Sequence, residues 1–523
     1  MLQDTAPCDL IRTIVTIYRT LLTRGYFPKE LPPAFFTEQF ARFATSRDGR
    51  AVLSAYHPTD SYTECVTYRL AQPGGDRREL KIPHPASFAV LAGLTAKHFS
   101  RLLTKASGSP FSKSRPVYST SRQRAIYPML KPPSLARERS ASRGAALFLL
   151  KADISHFYPS LYTHAVGWAI DPKLRLKAHW QNRKLLGKKI DQALMDLDGK
   201  ISQGVPIGND ISFLLTEIVL AHIDRQLAVP RERAVRWYDD YEIAFDTRAE
   251  ADACLKELHV KLAAFRLRLN PKKTDVIMLP RPIQEEWQQV LSEASRRGFR
   301  HTRDVVAYFD IAFRFRERYP DSPVLLYSLG LLFSLKCPTA ALSKVVQSSI
   351  IQALVCEPGA AQKAFALLTF WRLNGFVFDA ALIKNTVSQI VLRHQAGGLS
   401  SDVAWGLAFC LEQGLELDSK AAKVLSTFDD DAIAIQSLDM YKRGLIPGGF
   451  TTKRIGKILK PAHMDREHWL LAYEAVRHGL STESEPAVRG NPLFGELLAR
   501  RITFYKPKLP PYALVVHPGG APE

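Results

Sequence analysis

One apolar run that ends on an acidic residue constrains the fold of this chain more than any other feature. In "AALFLLKADISHFYPSLYTH" the run ends at Asp153, and a turn containing Pro159 follows. The pattern predicts a buried strand whose C-terminal end presents a carboxylate. Farther along, "AVRWYDDYEIAFDT" predicts a β-hairpin that carries Asp239 and Asp240 at its turn. Both acidic positions are typical of turns and strand ends, so neither alone indicates a function.

The segments around these acids alternate between strand and helix. From residue 147 to residue 280 the predicted order is strand, helix, helix, hairpin, helix, strand. Within it, "ISQGVPIGNDISFLLTEIVLAHIDRQL" predicts a Gly/Pro-rich loop that opens into a buried helix. Such alternation is typical of an α+β domain with helices packed on one face of a mostly antiparallel sheet.

Both ends of the chain are predicted to be helical. Near the start, "CDLIRTIVTIYRTLLTRGYFP" predicts an amphipathic helix that stops at Gly25 and Pro28. Beyond about residue 290, short amphipathic helices follow one another with Gly, Pro, Asp or Ser between them. Helical hairpins of about 30 to 45 residues stacked into a solenoid are the favoured arrangement, and a plain helical bundle is the alternative.

The charge of the chain favours a polyanionic partner. There are 71 Lys and Arg residues against 51 Asp and Glu, a formal net charge of +20, which points first to nucleic acid; a solvated basic surface is the alternative. The stretch "FSKSRPVYSTSRQRAIYPMLKPPSLARERSASR" has a composition that suits phosphate contact, although a flexible basic loop without a specific ligand would look the same. Its later cations are Arg122, Arg124, Lys131, Arg137, Arg139 and Arg143.

Cysteine usage and hydropathy indicate an intracellular protein. The six cysteines lie far apart without a CxxC pair, so neither a zinc ribbon nor a disulfide framework is expected. No basic-then-apolar leader and no apolar run of about 18 residues is present. We therefore expect a soluble protein in a reducing cytoplasm, without a membrane segment.

Taken together, the three acids match the needs of two-metal nucleotidyl transfer. That chemistry requires carboxylates on neighbouring strands, close enough to bind two Mg²⁺ ions about 3.5–4 Å apart. One ion would activate a primer hydroxyl, and the second would hold the triphosphate and the leaving pyrophosphate.

Four ordered segments resemble the motifs of reverse transcriptases. "KADISHFYPSLYTH" resembles motif A, "QGVPIGNDIS" motif B, "RWYDDY" motif C and "LNPKKT" motif D. The flanking stretches "RGYFPKELPPAFFTEQFA", "KIPHPASFAVLAGL", "WLLAYEA" and "NPLFGELLARRITFYKP" are similar to bacterial abortive-infection, or defence-associated, reverse transcriptases of the AbiK-like group. The resemblance covers nearly the whole chain.

The resemblance implies an α+β right-hand polymerase with the fingers and palm of a reverse transcriptase, followed by an all-α, HEAT-like helical-repeat domain. The expected domains are an N-terminal helix and fingers over 1–145, a palm over 146–290, and the helical domain over 291–523. The helical domain would replace the usual thumb.

It also implies roles for individual residues of the catalytic centre. Asp153 and Asp239 would be the direct ligands of two Mg²⁺ ions, with Mn²⁺ as a substitute. Asp240 would be a supporting carboxylate, and the carbonyl of Ile154 a further ligand. Lys273 resembles the motif-D lysine that can protonate the departing pyrophosphate; an exposed lysine without a catalytic role is the alternative.

Nucleotide contacts follow from the same resemblance. Tyr158 falls where reverse transcriptases place an aromatic ring under the sugar, which predicts deoxynucleotide substrates. Gln203 and Gly204 match the motif-B loop, where Gly allows close backbone approach to the nascent base pair. Phe157, Arg124 and Lys131 complete the expected nucleotide-binding set. Two places depart from the family pattern, namely residues 209–212 ("NDIS") after the loop and Trp237 where the YxDD pattern has Tyr.

The resulting expectation is a DNA polymerase that acts in bacterial anti-phage defence. It would use dNTPs with or without an RNA template, and relatives imply DNA attached to a tyrosine of the protein; a non-coding RNA partner and a homo-oligomer are also expected. A catalytically silent nucleic-acid-binding scaffold, or phage sensor, is the alternative, against which the three intact acids weigh. A ribonuclease effector is disfavoured because Arg466 and His478 are too far apart for its Arg-x4–6-His motif.

Overall fold

The computed structural model describes residues 7–75, 77–130, 132–394, 400–446, 448–459 and 464–508. The chain forms two compact units. The first comprises Met1–Pro28, Thr37–Cys65 and Lys81–Ile283, and the second comprises Lys29–Phe36, Val66–Leu80 and Gln284–Glu523. Two short N-terminal segments therefore group with the C-terminal helices, which no local sequence pattern indicated. The domain bounds drawn from the resemblance stay a prediction.

Strands are concentrated in the first unit. In chain order the described strands are β1 (Val66–Ala71), β2 (Arg77–Ile82), β3 (Pro116–Tyr118), β4 (Ile126–Pro128), β5 (Phe148–Asp153), β6 (Ala234–Trp237), β7 (Asp240–Phe245) and β8 (Asp275–Met278).

Eleven α-helices of the first unit are described up to residue 263. They are α1 (Pro7–Arg24), α2 (Glu38–Thr45), α3 (Arg47–Ala55), α4 (Pro85–Lys97), α5 (Phe99–Ala106), α6 (Pro132–Arg143), α7 (Phe157–Ser160), α8 (Thr163–Ile170), α9 (Leu186–Leu197), α10 (Asp210–Asp224) and α11 (Arg248–Ala263). The predicted N-terminal amphipathic helix is α1, which ends just before Gly25 as expected.

A four-stranded antiparallel sheet forms the centre of the first unit. Its strand order is β6-β7-β5-β8, and each neighbouring pair is antiparallel, as the alternation of predicted elements indicated. Leu149 and Ala244 are buried in the sheet together with Ala146, and α11 packs against β5, β7 and β8. The apolar run before Asp153 thus forms an inner strand, which explains its continuous hydrophobicity.

The second unit is a succession of helices. They are α12 (Glu286–Arg296), α13 (Thr302–Arg318), α14 (Val324–Leu331), α15 (Ala340–Cys356), α16 (Ala361–Leu373), α17 (Ala380–His394), α18 (Ser400–Gln413), α19 (Ser419–Leu425), α20 (Asp431–Lys442), α21 (Lys453–Leu459), α22 (Trp469–Arg477), α23 (Glu485–Gly490) and α24 (Pro492–Ala499).

Most of these helices pack against the next helix but one. The contacts α13 to α15, α14 to α16, α15 to α17, α16 to α18 and α18 to α20 follow this rule. Their core contains fully buried Trp371, Trp405 and Trp469. Contacts between near neighbours in sequence are typical of stacked helical hairpins. The HEAT-like character of the repeats stays a prediction.

The two N-terminal segments of the second unit are attached by specific hydrogen bonds. The indole Nε1 of Trp405 donates to the Glu30 carbonyl at 2.8 Å, and the backbone N–H of Ala71 donates to Ser401 Oγ at 2.9 Å. β1 also packs against α18 and α20. These contacts join residues more than 300 positions apart, so local sequence patterns could not reveal them.

Two general predictions concern cysteines and membranes. Cys65, Cys254, Cys337, Cys356 and Cys410 are free thiols, whereas the side chain of the sixth cysteine lies outside the described part. In the portion of the chain that is described, none of the helices combines the length and the apolar character needed to cross a bilayer.

Candidate active site

Three carboxylates lie at one end of the antiparallel sheet. Asp153 ends β5 and stands directly opposite Asp240, the first residue of β7. Trp237 pairs with Asp240 in the β6–β7 hairpin, so Tyr238 and Asp239 form its two-residue turn. Because directly opposed residues of antiparallel strands point to the same face, the structure brings the carboxylates of Asp153 and Asp240 together.

The proximity of these acids shows in the electrostatics. Partial loss of contact with water and the nearby carboxylates of Asp239 and Asp153 together raise the pKa of Asp240 to about 7, although part of Asp240 faces solvent. The ammonium of Lys273 acts in the opposite direction. The end of the sheet is therefore a site where added positive charge is favourable.

Two residues of the "LNPKKT" segment hold Asp153 in place. The side-chain amide of Asn270 donates to Asp153 Oδ2 at 3.0 Å, and its backbone N–H donates to the Asp153 carbonyl at 2.7 Å. Lys273 Nζ lies 3.7 Å from the same Oδ2, on a side chain that is 67% exposed. Ile154 is buried and pairs with Leu269 in an antiparallel bridge. Motif D thus extends the sheet beside motif A.

The donor set fits a divalent cation in atom type and charge. Mg²⁺ prefers carboxylate oxygens, and a cation beside Asp153, Asp239 and Asp240 would remove the repulsion that raises the pKa of Asp240. Over the described residues, no three His, Cys, Asp or Glu side chains converge into a ready metal-binding group. Like-charged carboxylates repel one another, so rotation of these side chains would accompany ion binding.

The expected nucleotide-contacting residues of motifs A and B lie side by side. The backbone N–H of Val205 donates to the Tyr158 carbonyl at 3.0 Å, and that of Gly204 donates to Leu161 at 2.9 Å. Gln203 pairs with Tyr162 in an antiparallel bridge, and its side chain is exposed. Gly204 has φ 96°, a left-handed conformation that favours glycine. The motif-B loop therefore lies directly against the segment that follows Asp153.

Tyr158 is held by two neighbours. Thr216 Oγ1 on α10 donates to the Tyr158 hydroxyl at 3.4 Å, and burial raises the pKa of the phenol. Phe157 is buried, and its ring lies edge-on to Tyr158 with 5.4 Å between centroids. Phe157 packs beside Tyr158, and its contact with a nucleotide stays a prediction.

Arg124 lies beside the motif-B loop, and its guanidinium is hydrogen-bonded to other groups of the protein. Its Nε donates to Asp210 Oδ1 at 2.7 Å, and its terminal nitrogens donate to the carbonyls of Phe27 and Gly208 at 2.6 and 3.1 Å. Asn209 caps α10 by accepting from the Ser212 N–H at 2.9 Å. The departure from the family pattern at "NDIS" therefore supplies a helix cap and an ion pair.

The remaining cations of the basic stretch divide into buried and exposed ones. Arg143 and Arg139 both pair with Glu242, at 2.9 and 3.1 Å. Arg122 is exposed and lies over the ring of Tyr127 at 4.4 Å. Lys131, the other predicted phosphate contact, lies outside the described residues. Phosphate contact by this stretch stays a prediction.

A buried ionic network supports the turn that carries Asp239. Arg236 is fully buried; its terminal nitrogens donate to both oxygens of Glu217 at 3.0 and 3.1 Å, and its Nε donates to Asp224 Oδ2 at 2.8 Å. Burial lowers the pKa of Arg236, but Asp224 and Glu217 outweigh that effect and the net pKa is raised. Both acids belong to α10, so this helix and the hairpin are joined by charge-assisted bonds.

The network contacts the turn at the backbone carbonyl and the backbone N–H of Tyr238. Arg236 donates to the Tyr238 carbonyl at 2.7 Å, and the Tyr238 N–H donates to Ser114 Oγ at 2.9 Å. Ser114 in turn donates to Glu217 at 2.9 Å. Tyr238 has φ 53°, a left-handed conformation that costs a non-glycine residue about 1–2 kcal/mol. Such strain persists only where the surroundings impose it.

Sequence reasoning missed the supporting residues Asn270, Arg236, Glu217 and Ser114. One signal was available for Glu217, because it lies inside the apolar helix "DISFLLTEIVLAHID", where a carboxylate requires a buried partner. Asn270 stands within the quoted "LNPKKT" segment, and Arg236 within "RWYDDY".

Part of the chain matches a known protein family. Residues 96–304 match the family described as reverse transcriptase (RNA-dependent DNA polymerase), a range that contains β5 to β8 and all three acids. Comparison with curated proteins gives no match.

Solved structures similar to the chain include two fungal telomerases. Apo telomerase from Candida tropicalis has 11% identity and a TM-score of 0.32, covering 76% of this chain and 73% of that one. Telomerase from Candida albicans in complex with a TWJ fragment of telomeric RNA has 10% identity and a TM-score of 0.27, covering 78% and 70%. The assignment rests on the family match: residues 96–304 form a reverse transcriptase domain.

Proposed function

We propose that this protein is a DNA polymerase that adds deoxynucleotides by metal-dependent nucleotidyl transfer. The observation that carries the proposal is the position of Asp153 directly opposite Asp240, with Asp239 in the adjoining turn, inside a reverse transcriptase domain. Three acids at one sheet end are unfavourable without a cation, and a scaffold that only binds nucleic acid would gain nothing from them.

Each acidic residue has a proposed role. Asp153 and Asp239 would hold the catalytic Mg²⁺ or Mn²⁺ ions, with Asp240 and the Ile154 carbonyl in support. Bound metal would stabilise the charge that develops on the attacking and leaving oxygens. Asn270 fixes the orientation of the Asp153 carboxylate through its 3.0 Å hydrogen bond.

Lys273 is the proposed general acid for the leaving pyrophosphate. Its ammonium lies 3.7 Å from Asp153 Oδ2, and its side chain is 67% exposed. The ammonium can therefore leave Asp153 and donate a proton to a phosphate oxygen beside the sheet end.

Tyr158 and the motif-B loop would set the nucleotide pocket. Gly204 and Val205 are bonded to the segment that carries Tyr158, which keeps the loop and the ring at a fixed separation. A ring held in this way would clash with a ribose 2′-hydroxyl, so deoxynucleotides are the proposed substrates.

The biological role we propose is anti-phage defence by abortive infection. Similarity of the flanking stretches to the AbiK-like group supports it, and the same similarity suggests a non-coding RNA or RNA template, homo-oligomerisation, and DNA synthesis primed by a protein tyrosine. Of the described tyrosines, Tyr441 is the most exposed, at 52%. Accessibility makes it the first candidate for a priming hydroxyl.

The test is incubation of the purified full chain with labelled dNTPs and Mg²⁺, with and without RNA or DNA templates, followed by denaturing gels. Wild type should incorporate label, and Asp239→Ala should abolish incorporation. The matched control is Asp246→Ala, which removes an exposed acid from the far end of the same hairpin and should leave activity intact. Label that stays on the protein, and is lost in Tyr441→Phe, would support priming by that residue. Absence of incorporation by wild type under every template and primer would contradict the proposal.

A further inference from the structure

A strongly basic segment joins α8 to α9 and includes the first turn of α9. Residues 172–189 contain seven Lys and Arg residues and no Asp or Glu, and we call them the Trp180 segment. The acids at its two borders are occupied, since Asp171 pairs with Arg101 and Asp191 pairs with Lys188 at 3.2 Å. The remaining cations are exposed; they are Lys173, Arg175, Lys177, Arg183, Lys184 and Lys189.

An indole ring is displayed among these cations. Trp180 is 57% exposed and Leu176 is 58% exposed. Successive turns hold the ring at the surface, because the N–H of Trp180 donates to the Leu176 carbonyl at 3.1 Å and the N–H of Asn182 donates to His179 at 2.9 Å. Among the described tryptophans, Trp180 is the one whose side chain is left largely in water. The exposed indole offers a flat apolar face that a ligand can cover.

The segment is fixed to the first unit by Arg175. Its guanidinium lies over the rings of Trp168 and Phe265, at 5.2 and 4.5 Å, and its Nη2 donates to the Ala264 carbonyl at 2.7 Å. The Trp180 segment therefore packs on the C-terminal end of α11 rather than extending freely into solvent.

The positive charge continues beyond the segment. Burial and, to a smaller extent, the cations Arg225, Arg175 and Lys105 together lower the pKa of His222 to about 4. Cations from α5 and from the end of α10 therefore lie close to those of the Trp180 segment. They add positive charge beside the Trp180 segment.

A solvated basic surface would explain the cations but not the exposed indole. Phosphates pair with Lys and Arg, while the flat π-face of an indole stacks on a nucleobase. Bases within a duplex are already stacked on each other, so the ring can reach a base only in an unpaired strand. We infer that the surface around Trp180 binds single-stranded nucleic acid, with the indole stacked on one base and the neighbouring cations on its phosphates.

This inference rests on the proposed function, because a polymerase must hold a template or a product strand. It can nevertheless fail separately, since binding needs neither Mg²⁺ nor dNTPs. The experiment measures fluorescence anisotropy of labelled pyrimidine-rich 20-mers, as DNA and as RNA, against the full-length protein without metal or nucleotide. The two strands distinguish a DNA product from an RNA template or partner.

Trp180→Ala should weaken binding of the preferred strand by about 5- to 150-fold, the loss expected for one stacked base. The slope of log Kd against log salt should stay unchanged, because no charge is removed. Trp180→Phe keeps an aromatic face and should restore most of the affinity.

The double variant Lys177→Ala with Arg183→Ala should instead change the dependence of binding on salt. Removal of two phosphate contacts should lower the salt slope by about 1.4, or about 0.7 per charge on a single strand. The charge-matched control is Lys420→Ala with Lys423→Ala, two exposed lysines on α19, which should leave the slope unchanged.

Three results would overturn the inference: wild type that binds no single strand, Trp180→Ala that binds as wild type does, or a duplex that competes as well as a single strand. If wild type binds single strands as expected and still incorporates no dNTP, the proposed function fails while the binding surface stands.

Discussion

The guanidinium of Arg236 donates a hydrogen bond to the carbonyl of Tyr238 at 2.7 Å, and so a fully buried charge holds the turn that carries Asp239. Because the backbone of Tyr238 has a left-handed conformation, the turn needs support from the residues around it. The position of the Asp239 carboxylate therefore depends on the contacts of Arg236 and Ser114 with Tyr238, as well as on the hairpin itself.

Ser114→Ala tests whether support of the turn affects metal binding, through the loss of a single hydroxyl. The variant removes the acceptor of the Tyr238 N–H, a loss worth about 1 kcal/mol, so the Mg²⁺ concentration for half-maximal dNTP incorporation should rise about fivefold. The control is Ser112→Ala, which also removes a hydroxyl bonded to Glu217 but leaves Ser114 as the acceptor of the Tyr238 N–H. Equal Mg²⁺ requirements in the two variants would contradict the assignment.

Arg236→Met tests the network through stability. The change leaves Glu217 and Asp224 buried without their cation, which should cost about 3–5 kcal/mol of unfolding free energy in urea titrations. Adding Glu217→Gln to the variant should recover part of the loss. Arg233→Met, at the partly exposed start of the same hairpin, should change stability little; a comparable loss there would show that the effect is not specific to the buried network.

Tyr158→Val tests nucleotide selection. Removal of the ring should raise the ratio of rNTP to dNTP incorporation by at least about tenfold, or about 1.4 kcal/mol, as measured by single-nucleotide extension. Thr216→Val removes only the hydroxyl that donates to Tyr158 at 3.4 Å and should change the ratio far less. An unchanged ratio in Tyr158→Val would exclude the ring from sugar discrimination.

A histidine in the second unit should make stability depend on pH. Burial lowers the pKa of His468, but its 2.6 Å hydrogen bond to buried Asp431 outweighs this and raises the pKa to about 8. A raised pKa means that protonation stabilises the fold: the contribution, at most about 2 kcal/mol, is complete below about pH 6.5 and is lost as pH rises through 8. His468→Gln should therefore lower the midpoint temperature of unfolding at pH 6 and not at pH 9. His259→Gln, at an exposed position on α11, is the control, and an equal shift at both pH values in His468→Gln would refute the linkage.

The central sheet could be predicted from sequence because its signals are local. The apolar run before Asp153 and the alternation after Asp240 each define a strand without reference to distant residues. Their opposition in the sheet then follows from antiparallel pairing.

Side-chain partners could not be predicted, because they depend on which helix faces meet. The guanidinium of Arg124, for example, is bonded to Asp210, 86 residues away in sequence. The docking of Trp405 onto Glu30 is a further contact of this long-range kind.

The buried acids of α10 recur every seven residues, at Asp210, Glu217 and Asp224. Seven residues are close to two helical turns, so all three lie on one side of the helix, about 10 Å apart from one to the next. The first binds Arg124 and the other two bind Arg236. Helix α10 thus acts as a spacer of fixed length between the motif-B loop and the Asp239 turn. Deleting one residue between Asp210 and Glu217 would rotate the two arginine sites by about 100° relative to each other, even if every residue named in the catalytic motifs were retained.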